Sequence, residues 1–143
     1  MKNLNWSTCA MFTRTSVHWS TPKAIYDYYC IDNNYFDPCP LYSSFNGLEI
    51  EWRSFNFVNP PYNNILAFVI KAIEESKKGR VSVFLVPART DTKWFHLLLS
   101  SCKCRIDFIK GRLKFGDSKT SAPFPSILIT AYPKHSHLAR KEE

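Results

Sequence analysis

The stretch Phe55-Asn56-Phe57-Val58-Asn59-Pro60-Pro61-Tyr62 decides how the rest of the chain is read. Its first four positions form a short apolar run of aromatic and β-branched residues, the pattern of a buried strand. The run stops at two prolines. Proline brings no N–H to a ladder and drives the residue before it into extended backbone. The sequence therefore predicts a strand ending in a stiff loop. That loop holds the Asn59 amide, the Pro60 carbonyl and the Tyr62 ring in fixed relation.

These groups suit one chemistry. An exocyclic amino group on a base is a poor nucleophile, because its lone pair is conjugated into the ring. Two acceptors, the Asn59 amide oxygen and the Pro60 carbonyl, can take its two hydrogens and aim the lone pair at an electrophile. Proline offers a carbonyl without a competing N–H. Tyr62 offers a flat face on which an extruded base can stack. The plain alternative is a Pro-Pro turn with a surface tyrosine. Placement directly after an apolar strand is the context that favours the chemical reading.

Downstream, Ile65, Leu66, Phe68, Val69, Ala72 and Ile73 recur at helical spacing, and Gly79 ends the helix. Val81 to Val86 reads as a second strand, closed by Pro87. Strand, helix and strand at this spacing predict a βαβ unit with parallel neighbours, so the Arg89 loop should emerge on the same edge as Asn59. Thr90 or Asp91 is expected to cap a helix running through Trp94, Phe95 and Leu98. Arg89 and Lys93 either meet a phosphate or carboxylate or are solvated charge. Cys104 to Ile109 alternates as a strand, and Lys110 to Gly116 is read as its continuation, a basic ribbon with Arg112 and Lys114. A last strand, Ile127 to Tyr132, is expected to pair with it antiparallel at a sheet edge.

Upstream, Thr21 is read as the N-cap and Pro22 as the first residue of a helix reaching about Tyr29, with Ile25, Tyr28 and Tyr29 on its inner face. Tyr35-Phe36-Asp37-Pro38-Cys39-Pro40 looks like the carboxyl end of another strand. Ligands bind beyond such ends in open α/β sheets. Asp37 suits a ribose diol or an ammonium group, or else simply starts an Asx turn.

The 143 residues bound a single domain with one core. We divide them into an arm at 1–17, a folded domain at 18–133 and a tail at 134–143. The net charge of +7 favours a polyanionic partner over an acidic one. The five cysteines are odd in number and include no Cys-x-x-Cys pair, which argues against a disulfide framework or a zinc site. Reduced thiols in a cytoplasmic protein are the expectation. No apolar run approaches membrane-spanning length, and no membrane partner is expected.

Taken in order, Trp19-x-Thr21-Pro22, Phe36-Asp37-Pro38-Cys39, Asn59-Pro60-Pro61-Tyr62, Pro87-Ala88-Arg89-Thr90-Asp91-Thr92-x-Trp94-Phe95-His96, Gly111-Arg112-Leu113-Lys114-Phe115 and Ala122-Pro123-Phe124-Pro125-Ser126 resemble the phage-type DNA N-6-adenine methyltransferase family. The resemblance runs from about Trp19 to Tyr132. It implies an α/β, Rossmann-like fold and methyl transfer from S-adenosylmethionine to adenine N6 in DNA, with no metal. Asn59, Pro60, Pro61 and Tyr62 would then be catalytic. Trp19, Thr21, Pro22, Asp37, Pro38 and Cys39 would hold the cofactor, and Arg89, Lys93, Arg112 and Lys114 would bind DNA. Phe115 and Phe124 are candidates for closing the far side of the base.

One departure shapes the expected fold. Positions 38–58 cannot hold the two βα units that usually bind the adenosine, and no Gly-x-Gly occurs. The sheet is therefore expected to be reduced, mostly parallel with an antiparallel edge hairpin, and the adenosine half of the site must come from elsewhere. No separate target-recognition domain is visible, so specificity is slight or comes from a partner protomer in a homodimer. Two alternatives stay open. One is a non-catalytic nucleic-acid-binding protein derived from a methyltransferase. The other is cytosine-N4 transfer, a class that more often has Ser where Asn59 stands.

Overall fold

The computed structural model describes residues 20–116 and 119–135. Within them the chain forms a mixed α/β domain. Helix α1, Lys23–Tyr26, runs into a π-helical turn, Asp27–Asp32; then follow β1 Phe55–Val58, α2 Ile65–Ser76, β2 Val81–Pro87, α3 Lys93–Ser101, β3 Lys103–Phe108 and β4 Ser126–Tyr132. The four strands make one sheet in the order β1-β2-β4-β3.

The βαβ expectation holds. β1 and β2 are parallel, with Phe57 opposite Val83. The expected mostly parallel sheet is corrected to a mixed one: β4 inserts antiparallel beside β2, with Leu128 opposite Leu85, and carries β3 antiparallel on its outer side, with Ile106 opposite Ile129. On the other side of β1 a single parallel bridge joins Phe36 to Asn56. Phe36 donates to the Phe55 carbonyl at 2.9 Å and accepts from Phe57 at 2.8 Å. That bridge is what remains of a further strand, and it brings Asp37 to the edge that Asn59 occupies.

Both faces of the sheet are covered. On one, α2 and α3 bury Phe68, Val69 and Leu98 against Val58, Phe84, Val86 and Ile129. On the other, Phe57, Val83 and Leu85 meet Phe115, Ala122 and Phe124, with Ile25, Tyr29 and Leu113 at the margin. This second face has α1 and irregular loops instead of a long helix.

Several local expectations are corrected. Thr21 does not cap α1. Pro22 occupies that position without a side-chain bond, and its carbonyl accepts from Ile25 and Tyr26. The helix also runs past Tyr29 to Asp32, and its widened turn leaves Tyr28 58% exposed while Tyr29 stacks on Phe57 at 4.9 Å. Neither Thr90 nor Asp91 caps α3. Thr92 stands there, and its hydroxyl donates back to the Arg89 carbonyl at 2.8 Å. The basic ribbon is not strand. β3 ends at Phe108, and Gly111, at φ +76°, turns the chain across the second face. The arm at 1–17 and most of the tail at 134–143 lie outside the described residues.

Candidate active site

One edge of the sheet gathers the loops. Parallel strands send the segments after Phe36, β1 and β2 out on the same side. The antiparallel β4 begins there, because Ser126 pairs with Pro87, and β3 ends there, because Phe108 pairs with Ile127. The segments 37–41, 59–62, 88–92, 109–116 and 122–125 therefore share this edge.

Asn59 is 6% exposed and sits one residue past β1. Its Nδ2 donates to Thr21 Oγ1 at 3.1 Å. This bond sets the amide plane, so that the oxygen is the end turned away from Thr21. The hydroxyl read in the sequence as a helix cap is thus spent on Asn59, thirty-eight positions away. Pro60 and Pro61 are buried behind it, and the Pro61 carbonyl accepts from Asn64 at 2.9 Å as the chain turns into α2.

Asp37 and Asn59 line a common cavity of about 180 Å³ with Ser20, Thr21, Tyr26, Cys39 and Leu41. Asp37 Oδ1 accepts from the Cys39 backbone N–H at 2.9 Å, the Asx turn that Asp-Pro predicted. Burial pushes the Asp37 carboxyl up to about 7, against the smaller opposing pull of that hydrogen bond. A carboxyl held this way gains most from a cationic ligand. Pro22 and Pro38 adjoin lining residues in the chain without lining the cavity themselves, and Trp19 lies outside the described residues.

Tyr62 stands edge-on to Phe124 at 5.2 Å and 72°, and to Phe115 at 6.3 Å and 87°. Phe115 and Phe124 are 3% and 8% exposed. They lie in the core beside Tyr62, so the ring left partly open is Tyr62 itself. The Tyr62 hydroxyl is buried with no hydrogen-bond partner among the described residues, and burial pushes its pKa up.

The basic candidates are all exposed. Arg89 and Lys93 flank the turn between β2 and α3. Arg112 and Lys114 sit on the loop crossing the second face. That loop is tied at both ends of its apolar part: Ala122 donates to the Leu113 carbonyl at 2.8 Å, and Gly116 to the Ser20 carbonyl at 3.1 Å. Gly116 has φ +54°, and a Cβ there would come within 3.0 Å of Ser20 Cβ. The positive φ favours glycine, and the tight contact shows how closely the loop approaches the segment that lines the cavity.

Ser20, Tyr26 and Leu41 were not singled out from the sequence. Tyr26 lies one helical turn after Pro22, and that spacing is the only signal it leaves. Leu41 reaches the cavity only because the loop folds back after Pro40.

Comparison with known proteins places the chain in a family. A DNA N-6-adenine-methyltransferase of Haemophilus phage HP1 (strain HP1c1) is 29% identical over 96 residues, covering 62% of this chain and 56% of the relative. The matched part thus spans little more than half of that relative's length. No solved structure matches. The model of the family described as DNA N-6-adenine-methyltransferase (Dam) matches residues 10–129, and on that extent the chain belongs to the DNA N-6-adenine-methyltransferase family.

Proposed function

We propose that the chain methylates adenine N6 in DNA, taking the methyl group from S-adenosylmethionine on a reduced Rossmann-like domain. The observation that carries this reading is the Thr21–Asn59 bond between two residues that line one cavity with Asp37. A merely structural Asn-Pro-Pro-Tyr turn has no need of an amide oriented from a distant segment toward a polar cavity.

The residues present fit the cofactor's charged end. Asp37 offers a carboxylate for an ammonium group, and Thr21, Tyr26 and Cys39 complete a small polar seat. At about 180 Å³ the cavity falls below the roughly 300–1,000 Å³ of whole-ligand pockets, so it suits the methionyl part while the adenosine lies beyond it. When bound, S-adenosylmethionine supplies an electrophilic methyl group.

The chain's own part is orientation. Asn59 Oδ1 and the Pro60 carbonyl accept the two amino hydrogens of the base. Tyr62 presents its face to the extruded adenine, and Phe115 and Phe124 hold that ring upright from behind. Holding nucleophile and electrophile in line accounts for most of the expected acceleration. Arg89, Lys93, Arg112 and Lys114 bind phosphates around the edge.

The test is transfer of labelled methyl to unmethylated DNA, followed by digestion and identification of the modified nucleoside. Labelled N6-methyladenine is expected, with Asn59→Ala lowering transfer by roughly two orders of magnitude, the loss of one well-placed transition-state hydrogen bond. The loss should persist at saturating S-adenosylmethionine, which separates it from the weaker cofactor binding and lower melting temperature expected when the buried bond to Thr21 is removed. A protein that binds DNA but never transfers methyl, to duplex or single strands, would instead be the non-catalytic binder. N4-methylcytosine as the product would indicate the cytosine reading.

A further inference from the structure

We propose that Glu75, Trp52 and Gly47 form a positioning relay that sets the Asp37 loop, and through it the affinity for the cofactor. This rests on reading the Asp37 cavity as the cofactor's seat. None of the three residues lines that cavity, yet direct contacts lead from each to the next.

Glu75 lies near the end of α2 and is fully buried. Its Oε1 accepts from the Trp52 backbone N–H at 2.5 Å and from Arg80 Nη1 at 2.7 Å. Lys78 Nζ stands 3.1 Å from Oε2. A carboxylate costs a good deal to bury and is retained here by four donors or cations, counting Lys71 at 4.0 Å. One of the four is the backbone of a residue that belongs to no helix or strand. Trp52 is in turn 2% exposed, and its Nε1 donates to the Gly47 carbonyl at 2.8 Å.

Gly47 makes the last step. An ideal Cβ at this position would lie 1.8 Å from the Pro38 carbonyl oxygen and 2.8 Å from its carbon. No side chain fits, so the Gly47 backbone rests directly on the peptide between Asp37 and Cys39. That peptide carries the Cys39 N–H, which donates to the Asp37 carboxyl of the cavity wall. Gly47 has no positive φ to explain it, and close approach is the whole reason for glycine here.

The relay gives α2 a second task. Its first turn follows Asn59-Pro60-Pro61-Tyr62, and its last turn holds Trp52 through Glu75. One rigid helix therefore sets both walls of the site, the nucleophile's and the cofactor's. This replaces a support that a longer sheet would supply, since among the described residues the Asp37 segment meets β1 through a single β-bridge at Phe36.

The experiment uses the full chain, with Trp52→Phe and Gly47→Ala as relay variants and Leu99→Ala, a partly buried position on α3, as a destabilised control. Binding of S-adenosylmethionine is measured by calorimetry well below each melting temperature. Exchange of the Cys39 amide is measured by NMR without cofactor. Both relay variants are expected to raise Kd and KM for S-adenosylmethionine roughly tenfold or more, the scale of a small misplacement of a positioning group. Their kcat at saturation should stay within about twofold of wild type, and Cys39 exchange should accelerate. Leu99→Ala should lower the melting temperature and change neither readout. Relay variants with wild-type Kd and wild-type Cys39 exchange overturn the relay. A wild-type protein with no binding heat sinks the cofactor reading instead, and the Cys39 exchange, which needs no cofactor, still decides whether Trp52 and Gly47 set the loop.

Discussion

The Asn59 amide donates through Nδ2 to Thr21, and the role proposed for it uses the other end of that amide. Tyr62 shows the opposite situation, a polar atom that the fold leaves unused. Its hydroxyl is buried with no hydrogen-bond partner among the described residues. An unmet buried hydroxyl costs on the order of 1–3 kcal/mol. Tyr62→Phe should therefore keep most methyl transfer and be as stable as wild type or more so in urea denaturation. A large loss of activity would mean that the hydroxyl, not the ring face, meets the substrate. Asp37 adds a pH dependence. Its folded pKa is raised from 3.8 to about 7, so its stabilising protonated form is fully present below 3.8 and lost as pH rises through 7. Asp37→Asn keeps the bond to Cys39 N–H, and should raise stability at pH 8 but not at pH 3. Binding of a cation favours the carboxylate, so wild-type affinity for S-adenosylmethionine should weaken as pH falls below 7, with protons released on binding. The Asn variant should bind weakly at every pH.

At the scale of elements, the proposed site and its support meet on α2. Its apolar stripe of Ile65, Phe68, Val69 and Ala72 fixes it to the sheet. Gly79, at φ +88°, reverses the chain so that Arg80 can reach back to Glu75. Burial alone would raise the Glu75 pKa, but the Trp52 N–H, Arg80, Lys78 and Lys71 hold it below the usual 4.5. Its stabilising effect is thus present above pH 4.5 and is lost as pH falls through the lower folded value. Glu75→Gln should cost about 1.5–3 kcal/mol at pH 7, the range for hydrogen bonds to a charged group. The gap from wild type should close toward pH 2. Chemical denaturation at the two pH values checks this, and a gap independent of pH would assign the cost to packing.

Across the described residues of the whole molecule, the strand order sends the loops that carry Asp37, Asn59 and Arg89 to one edge. No helix among the described residues is long and apolar enough to cross a membrane. With a net charge of +7, binding to DNA should weaken steeply with salt. Removing one phosphate-contacting residue among Arg89, Lys93, Arg112 and Lys114 should reduce the slope of log K against log salt by about one unit. Titrations at several salt concentrations read this directly. An unchanged slope in all four alanine variants would move the DNA surface away from this edge.

The sequence alone determined the βαβ unit, the edge shared by Asn59 and the Arg89 loop, and the antiparallel pairing of the last two strands. Those features follow from local signals: proline after an apolar run, helical spacing from Ile65 to Ile73, and alternation near Ile106. Such signals need only neighbouring residues. Tertiary structure alone decided what Thr21 bonds, because capping and the bond to Asn59 use the same hydroxyl and only the folded distance selects between them. It also decided the fate of Phe115 and Phe124, whose residue type suits a stacking platform or a core equally well. Gly47 is the clearest case. In the chain it is a glycine in a turn-rich connection, and its reason for being glycine, the Pro38 carbonyl 1.8 Å from any added Cβ, exists only after the two segments have met.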